Sequence, residues 1–145
     1  MNYIFGSASG IGKSLYKLYK ESGYDVYGFD KDKSPETDKV IDLSDLNNII
    51  EITEIINKNK IQSITYCAGI QDSKNTSNLF NVNVISFIEI INNSIKKFDE
   101  TVVCAISSIH SIASNQENIE YASSKSSLEK AFSVSSLFLY EVSKI

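Results

Sequence analysis

A glycine-rich turn joins the first apolar run of this chain to its first amphipathic segment, with glycines at positions 6, 10 and 12. Glycine allows a tight turn and a close approach of the backbone to a pyrophosphate. The helix that follows offers unpaired N–H groups and a partial positive charge. A loop that needs glycine only for positive φ is the alternative interpretation. Because the turn lies between a first strand and a first helix, it favours dinucleotide binding instead.

Apolar runs and helical periodicity alternate along the rest of the chain. Predicted strands cover residues 3–5, 25–29, 39–41, 63–67 and 101–106. Predicted helices begin near Ile11, after an N-cap at Ser44, near Leu79 with an end at Lys97, and near Ile119 with an end towards Ser143. This alternation predicts an α/β fold, a doubly wound parallel sheet with helices on both faces. Residues 1–145 show no repeat or long linker and are predicted to form a single domain.

The charge pattern excludes some classes of partner. The net charge is −4, and all 14 basic residues are lysines scattered along the sequence. Without arginine there is no bidentate clamp for phosphates or base edges, so nucleic acid is not expected as a partner. No apolar run is long enough to span a bilayer and no leader precedes the first strand, so no membrane partner and a cytoplasmic location are predicted. Cys67 and Cys104 are interpreted as buried free thiols, with a disulfide as the minor alternative.

Asp30 closes the second predicted strand, 18 residues after Gly12 (30 − 12). A carboxylate at this position can accept hydrogen bonds from both hydroxyls of an adenosine ribose, and it repels a 2′-phosphate. An ordinary aspartate at the start of a loop is the alternative. Lys31 and Lys33 follow and favour NADP. Asp30 and the absence of arginine lead us to predict NAD, with NADP less favoured.

The spacing Tyr-x-x-x-Lys occurs four times, at Tyr16/Lys20, Tyr27/Lys31, Tyr121/Lys125 and Tyr140/Lys144. Tyr121 and Lys125 open a predicted helix, where residues i and i+4 share a face. Ser108 lies 13 residues earlier (121 − 108), at the carboxyl end of the fifth predicted strand. Ligand sites of open α/β sheets gather at that end. The three residues therefore predict a catalytic set, and a surface Tyr/Lys pair with a loop serine is the alternative.

The Gly-x-x-x-Gly-x-Gly turn and the Ser108–Tyr121–Lys125 set resemble the short-chain dehydrogenase/reductase superfamily in its compact, non-extended form. The resemblance covers essentially the whole chain. It implies a Rossmann sheet of order 3-2-1-4-5 and hydride transfer between NAD(P)(H) and a small-molecule alcohol or carbonyl substrate. It also implies a homodimer or higher oligomer, formed through the helices that carry Asn83 and Tyr121. Besides Tyr121 and Lys125, the cofactor-binding residues that it implies are Gly6, Ser9, Gly10, Ile11, Gly12, Asp30, Asp42, Leu43, Cys67, Ala68 and Gly69.

The resemblance assigns a role to each catalytic candidate. Free tyrosine is a poor base near neutrality, since its pKa is about 10, but a nearby ammonium favours the phenolate. With this chemistry Tyr121 is the general acid/base, while Lys125 also hydrogen-bonds the nicotinamide ribose. Ser108 orients the substrate oxygen and stabilises the charge that develops on it. Asn83 is interpreted as the asparagine that kinks its helix and holds a proton-relay water, with Asn81 as the second choice.

Some features depart from the family pattern. Cys67-Ala68-Gly69 stands where the family has Asn-Ala-Gly, and Phe5 stands where the family has threonine. The chain ends where the family continues with two strands and a substrate loop. Residues 101–106 are then an edge strand, so the chain is interpreted as C-terminally truncated, with completion of the sheet by a partner as the alternative.

Two functions of different classes follow from the sequence. The first is an NAD-dependent oxidoreductase. The second is a truncated nucleotide-binding or association domain without turnover. His110 is interpreted as a loop residue without a role, with substrate contact as the alternative, and no spacing suggests a metal site.

Overall fold

Within the described residues, five parallel strands form one sheet. The computed structural model describes residues 1–71, 74–94, 101–113 and 118–142, with side chains through residue 134. The strands are β1 (Asn2–Phe5), β2 (Val26–Asp30), β3 (Lys39–Val40), β4 (Ser63–Tyr66) and β5 (Val102–Ala105). They pair in the order β3-β2-β1-β4-β5, which confirms the predicted Rossmann order. The order reverses between β1 and β4, the point at which open α/β sheets bind their ligands.

Helices connect these strands. They are α1 (Gly10–Glu21), α2 (Asn48–Ile56), α3 (Thr76–Phe80), α4 (Ser86–Ser94) and α5 (Ile119–Val142), with a π-helix at Asn81–Ile85 and a 3₁₀-helix at Ile109–Ser111. α3, the π-helix and α4 follow one another without a break. None of the helices that the structure describes is both long and apolar enough to cross a lipid bilayer.

The larger core lies between the sheet and the helices α2, α4 and α5. Tyr3 and Phe5 of β1 face it together with Phe29 and Tyr66, because alternate residues of a strand share a side. Phe5 stacks on Phe29 with ring centroids 4.8 Å apart, and its ring lies 5.6 Å from that of Tyr66. Leu128 of α5 joins the same core, so this helix is fixed against the sheet.

The opposite face of the sheet packs on α1, where Ile4 and Val26 contact Tyr16. β5 lies beyond this cover: Val102 is 65% exposed, and Cys104 is exposed as well. The prediction of a buried thiol at Cys104 is wrong, because a fully apolar run does not reveal whether both faces of its strand are covered. Both cysteines are free thiols, and Cys67 is partly buried.

The start of α2 also differs from the sequence prediction. Ser44 was expected to cap this helix, but α2 begins at Asn48. The Ser44 N–H instead donates to Oδ1 of Asp42 at 2.8 Å in a local turn. Asp42 and Asp45 each accept the amide two residues ahead, from Ser44 and Asn47, so spacing alone does not single out the cap.

The helix that follows β4 begins earlier than predicted, at Thr76 rather than near Leu79. The side chain of Asn75 caps it by accepting the N–H of Asn78 at 3.2 Å. The predicted helix ends at Lys97 and near Ser143 lie outside the described residues.

The π-helix after α3 is held by side-chain hydrogen bonds. In a π-turn each carbonyl accepts from the N–H five residues ahead, as the Asn81 carbonyl does from Ser86, and side-chain hydroxyls add further bonds. Tyr66 Oη donates to the carbonyl of Val82 at 2.5 Å and lies 2.6 Å from Ser86 Oγ. Ser86 Oγ in turn donates to the carbonyl of Asn81 at 2.7 Å. A buried tyrosine of β4 therefore stabilises the irregular turn.

We expect Tyr66→Phe to lower the free energy of unfolding by about 1–3 kcal/mol, because it removes the donor to the Val82 carbonyl inside the core. Tyr66 is fully buried. Urea unfolding followed by circular dichroism measures the change. Tyr24→Phe is the matched control, since Tyr24 is 56% exposed and should change stability by less than about 0.5 kcal/mol. Equal stability of Tyr66→Phe and the wild type would contradict this account of the π-helix.

Candidate active site

A cleft of about 400 Å³ opens where β1, β2 and β4 end. This volume lies within the range of small-molecule sites, about 300–1,000 Å³. The cleft is bounded by the N-terminus of α1, by the segments after β2 and β3, and by the segment after β4. Apart from Tyr121 and Lys125, every cofactor residue predicted from the sequence lines it, namely Gly6, Ser9, Gly10, Ile11, Gly12, Asp30, Asp42, Leu43, Cys67, Ala68 and Gly69.

The glycine turn packs backbone against backbone. A Cβ on Gly12 would lie 2.0 Å from the carbonyl oxygen of Gly6, and a Cβ on Gly6 would lie 2.7 Å from the nitrogen of Ala68. Gly6 and Gly10 also adopt positive φ angles of 87° and 53°. Side chains at these positions would either clash or strain the backbone, so the sequence needs glycine here.

The N-terminus of α1 presents backbone donors to the cleft. The first intrahelical hydrogen bond runs from the N–H of Lys13 to the carbonyl of Ser9. The amides of residues 10–12 precede this ladder, as the first amides of any helix do. The side chain of Ser9 makes no capping bond to them. This wall therefore offers N–H donors and the positive end of the helix dipole to an anion.

Asp30 is held at the end of β2 on the wall of the cleft. Its Oδ2 accepts the N–H of Ala8 at 2.8 Å, and its Oδ1 accepts the N–H of Asp32 at 3.0 Å. Two backbone amides, one from the glycine turn and one from the next loop, thus fix the carboxylate. Lys31 lines the cleft beside it.

A buried carboxylate anchors the loop between β2 and β3 to α1. Glu36 is 5% exposed, and its oxygens lie 3.7 Å from the Lys13 ammonium and 3.5 Å from the Lys17 ammonium. Burial by itself raises the pKa of Glu36, but Lys13 and Lys17 outweigh it and hold that pKa below its ordinary value. The loop carries Lys31 and Asp32 on the wall of the cleft, so this anchor helps to shape its edge.

Lys125 is buried beside the cleft at Gly69. The residue is 4% exposed, and its Nζ donates to the carbonyl of Ile106 at 2.9 Å. A Cβ on Gly69 would lie 3.2 Å from Lys125 Nζ and 3.5 Å from Asn83 Oδ1. Burial lowers the pKa of Lys125, and neighbouring Cys67 opposes that shift. Gly69 is therefore the point at which the cleft, the lysine and the asparagine meet.

Cys67 occupies the cleft position where the resemblance leads one to expect asparagine. Burial raises the pKa of its thiol to about 11, Cys104 adds to this effect, and Lys125 opposes it. Cys67 is therefore a neutral thiol near pH 7. It supplies less hydrogen bonding to the end of β4 than an amide would.

Tyr121 lies one helical turn before Lys125 on α5. The Nζ of Lys125 lies 5.8 Å from the centre of the Tyr121 ring. The ring of His110 meets the Tyr121 ring edge-on, with centroids 6.0 Å apart. The backbone N–H of His110 donates to Ser108 Oγ at 3.3 Å. The histidine that the sequence left without a role therefore connects the segment of Ser108 to Tyr121.

Asn83 is fully buried in the π-helix. Its Oδ1 accepts the N–H of Ile70 at 2.8 Å, and its Nδ2 donates to the Ile70 carbonyl and to Ser124 Oγ, both at 2.9 Å. Ser124 Oγ donates in turn to the carbonyl of Tyr121 at 2.8 Å. Asn81, by contrast, donates to a backbone carbonyl in the segment before α2. Of the two candidates, Asn83 is the one connected to the helix of Tyr121.

A model of the NAD dependent epimerase/dehydratase family matches residues 3–145. The chain belongs to the NAD-dependent epimerase/dehydratase family. The match includes the glycine turn, the cleft and the helix of Tyr121. The comparison with curated proteins gave no match.

Solved short-chain dehydrogenases share the fold of this epimerase/dehydratase-family chain. A 4-hydroxyisoleucine dehydrogenase complexed with NADH has a TM-score of 0.81 at 20% identity, over 99% of this chain and 70% of its own. A short chain dehydrogenase family protein from Francisella tularensis subsp. tularensis SCHU S4 has a TM-score of 0.83 at 19% identity, over 97% of this chain and 64% of its own. An oxidoreductase (short chain dehydrogenase/reductase) from Brucella ovis has a TM-score of 0.76 at 22% identity, over 88% of this chain and 71% of its own. These likenesses establish a short-chain dehydrogenase Rossmann fold. This chain spans 64–71% of the lengths of the three structures.

Some cleft residues of this family member were not predicted from the sequence. Ile70 and Val82 line the cleft, together with Ile41 and Asp32. In the sequence, Ile41, Ile70 and Val82 have no side-chain feature that distinguishes them from other apolar residues in or beside strands and helices. The one signal for Ile70 in the sequence is its position directly after Ala68-Gly69, just past the end of a strand.

Proposed function

We propose that this chain is an oxidoreductase that transfers hydride between NAD(H) and an alcohol or carbonyl substrate, with Tyr121 as general acid/base. Residues 1–145 act as one NAD(P)-binding domain in this proposal. One observation carries it: Lys125 Nζ and Asn83 Oδ1 converge on Gly69, at the wall of the cleft that the glycine turn lines. Groups suited to moving a proton therefore stand beside a cleft suited to a nucleotide.

The residues of the cleft fit a dinucleotide. The amides at the N-terminus of α1 would hold the pyrophosphate, and Asp30 would accept hydrogen bonds from the adenosine ribose. Lys125 beside Gly69 would bind the nicotinamide ribose. When bound, the cofactor supplies or accepts the hydride. The side chains of the protein must move the accompanying proton.

Tyr121 would move that proton. In reduction its hydroxyl gives a proton to the substrate oxygen, and in oxidation the phenolate takes a proton from the alcohol. Lys125 would stabilise the phenolate, since its charge is buried and acts through surroundings of low dielectric constant. One of its three ammonium protons is donated to the Ile106 carbonyl. Among the described contacts, two are left for the phenolate and for a ribose hydroxyl.

Ser108 would hold the substrate oxygen. Among the described contacts, its Oγ accepts the N–H of His110, which leaves the hydroxyl proton available for a substrate. A donor aimed at that oxygen favours the transition state, because negative charge develops there as hydride arrives at the carbon. Asn83 would support these groups by fixing Ile70 and Ser124 around Lys125, and would hold the water of a proton relay.

An assay of NADH oxidation with a panel of aldehydes and ketones tests the proposal. Turnover of at least one carbonyl, together with a melting temperature raised by NADH, is the expected result. NADH binding without turnover of any carbonyl would contradict the oxidoreductase. It would favour the second hypothesis, a nucleotide-binding or association domain. No NADH binding at all would contradict both.

We expect Asp30→Ala to shift cofactor preference towards NADP. Loss of the carboxylate removes the repulsion of a 2′-phosphate and releases the Ala8 and Asp32 amides for that phosphate. The ratio of the NADPH to NADH dissociation constants should fall by about tenfold or more. Fluorescence titration of each reduced cofactor measures this ratio. Asp32→Ala removes a charge from the same wall without the ribose contact and should change the ratio less. An unchanged ratio in Asp30→Ala would contradict the assignment of Asp30.

The preference for NAD over NADP and the homodimer formed through the helices of Asn83 and Tyr121 belong to the same proposal. The cytoplasmic location stays a prediction from the sequence. The small-molecule substrate follows from the proposed reaction.

A further inference from the structure

The hydroxyl groups on both sides of Ser108 converge on one carboxylate. Ser107 Oγ donates to Glu129 Oε1 at 2.5 Å, and Ser111 Oγ donates to the same oxygen at 2.6 Å. Ser111 Oγ also lies 2.7 Å from the carbonyl oxygen of Ser108 itself. Glu129 belongs to α5, so the segment around Ser108 is held by the helix that carries Tyr121.

Glu129 continues a row of functional positions along α5. Residues 121, 125 and 129 are spaced by four and so follow one another along one side of the helix. Lys125 Nζ donates to the carbonyl of Ile106 at 2.9 Å, directly before Ser107. Ser126 Oγ donates to the carbonyl of Ser111 at 2.7 Å. Two successive turns of α5 therefore hold the end of β5 and the loop that follows it.

We infer that Glu129 is a positioning residue that fixes Ser108 relative to Tyr121. The inference rests on the proposed oxidoreductase function. Glu129 acts through Ser107 and Ser111 and does not need to touch the substrate. Catalytic groups must be held within about 0.5 Å of their productive geometry. A misplacement of about 1 Å can cost about 10²-fold in rate.

A carboxylate suits this task for two reasons. Both serine hydroxyls need an acceptor, and hydrogen bonds to a charged acceptor are shorter and stronger than those to a neutral one. The bonds from Ser107 and then Ser111 hold the pKa of Glu129 below its ordinary value. The group is therefore ionised near neutrality, and its hold on the loop weakens as the pH falls through that lowered pKa.

Two substitutions separate positioning from simple packing. Glu129→Ala removes the acceptor, and we expect it to lower kcat for carbonyl reduction by about tenfold while the NADH dissociation constant stays unchanged. Glu129→Gln keeps the size and one acceptor oxygen, and it should restore most of kcat. Lys130→Ala, the next residue along the exposed side of the helix, is the matched control and should keep the wild-type kcat.

Amide hydrogen exchange measures how firmly Glu129 fixes the segment around Ser108, and it does not require catalytic turnover. At neutral pH, Glu129→Ala should raise amide exchange in residues 107–113 by about tenfold, and Glu129→Gln should raise it much less. Exchange in the glycine turn should not change, because Glu129 contacts the other end of the site.

The outcomes decide the two proposals separately. Unchanged exchange of residues 107–113 in Glu129→Ala overturns the positioning role, whatever the enzyme does. Faster exchange with an unchanged kcat also overturns it, because the function of Ser108 would then not require Glu129 to fix its segment. A wild-type protein that binds NADH but reduces no carbonyl contradicts the oxidoreductase proposal, while the exchange result still decides whether Glu129 holds the segment.

Discussion

Tyr121→Phe should lower kcat for carbonyl reduction by about a thousandfold, while the NADH dissociation constant stays within about twofold. Only the hydroxyl is lost, so the ring keeps its contacts with His110 and with the Lys125 ammonium. The substrate oxygen then has no acid in place to protonate it as hydride arrives. Steady-state kinetics with the best carbonyl of the panel, together with fluorescence titration of NADH, measures the two quantities.

The chain supplies a matched control for this substitution. Tyr16 and Lys20 have the same spacing, and the Lys20 ammonium lies 5.6 Å from the centre of the Tyr16 ring. Tyr16 is packed between α1 and the sheet, and burial, with Asp38 as a second cause, raises its pKa to about 12. Tyr16→Phe should therefore cost some stability but leave kcat unchanged. Equal effects of the two substitutions on kcat would refute the role of Tyr121.

Gly12→Ala should abolish cofactor binding, with a loss of NADH affinity of at least about a hundredfold. The added Cβ would lie 2.0 Å from the carbonyl oxygen of Gly6, and the backbone fixes the positions of both atoms. No rotamer relieves it, so the N-terminus of α1 must move away from the turn that is proposed to hold the pyrophosphate. Thermal unfolding with and without NADH reports both the damage to the fold and the loss of binding.

Gly23→Ala controls for the strain of adding a side chain. Gly23 has a positive φ of 77°, yet a Cβ there would meet no atom within 4 Å. The substitution should cost about 1–2 kcal/mol of stability through strain alone and should keep the wild-type NADH affinity. The clash predicts either that the Gly12→Ala protein unfolds or that it folds without binding NADH. A Gly12→Ala protein that binds NADH normally would contradict it.

The fold was predictable because strands and helices have different hydrophobic periods and alternate along the sequence. Short apolar strands, a glycine turn at the first strand–helix junction and right-handed crossovers leave few topologies open, and the observed strand order is among them. The meeting of the proposed cofactor residues at one place was predictable for the same reason, since the ends of parallel strands meet at one edge. Eleven of them line a single cleft.

The remaining features depend on contacts between distant segments. The exposure of Cys104 depends on which helices cover β5, and the apolar run from residue 101 does not report that. The π-helix depends on a hydroxyl from β4, 16 residues before the carbonyl that accepts it. Glu129 meets Ser107 across 22 residues of sequence. In a single sequence its charge looks like one more solvated position on a helix.

The hydrogen bonds of Asn83 restrict which side chains can replace asparagine at position 83. Toward Ile70 the side-chain amide offers one acceptor and one donor, as a peptide group of a neighbouring strand would. It thereby pairs with the backbone of Ile70, four residues after the end of β4 (70 − 66). Aspartate would set a second oxygen against the Ile70 carbonyl, and leucine would remove the Asn83 partner from both backbone groups. The wall of the cleft beside Lys125 therefore requires a side chain that imitates the backbone.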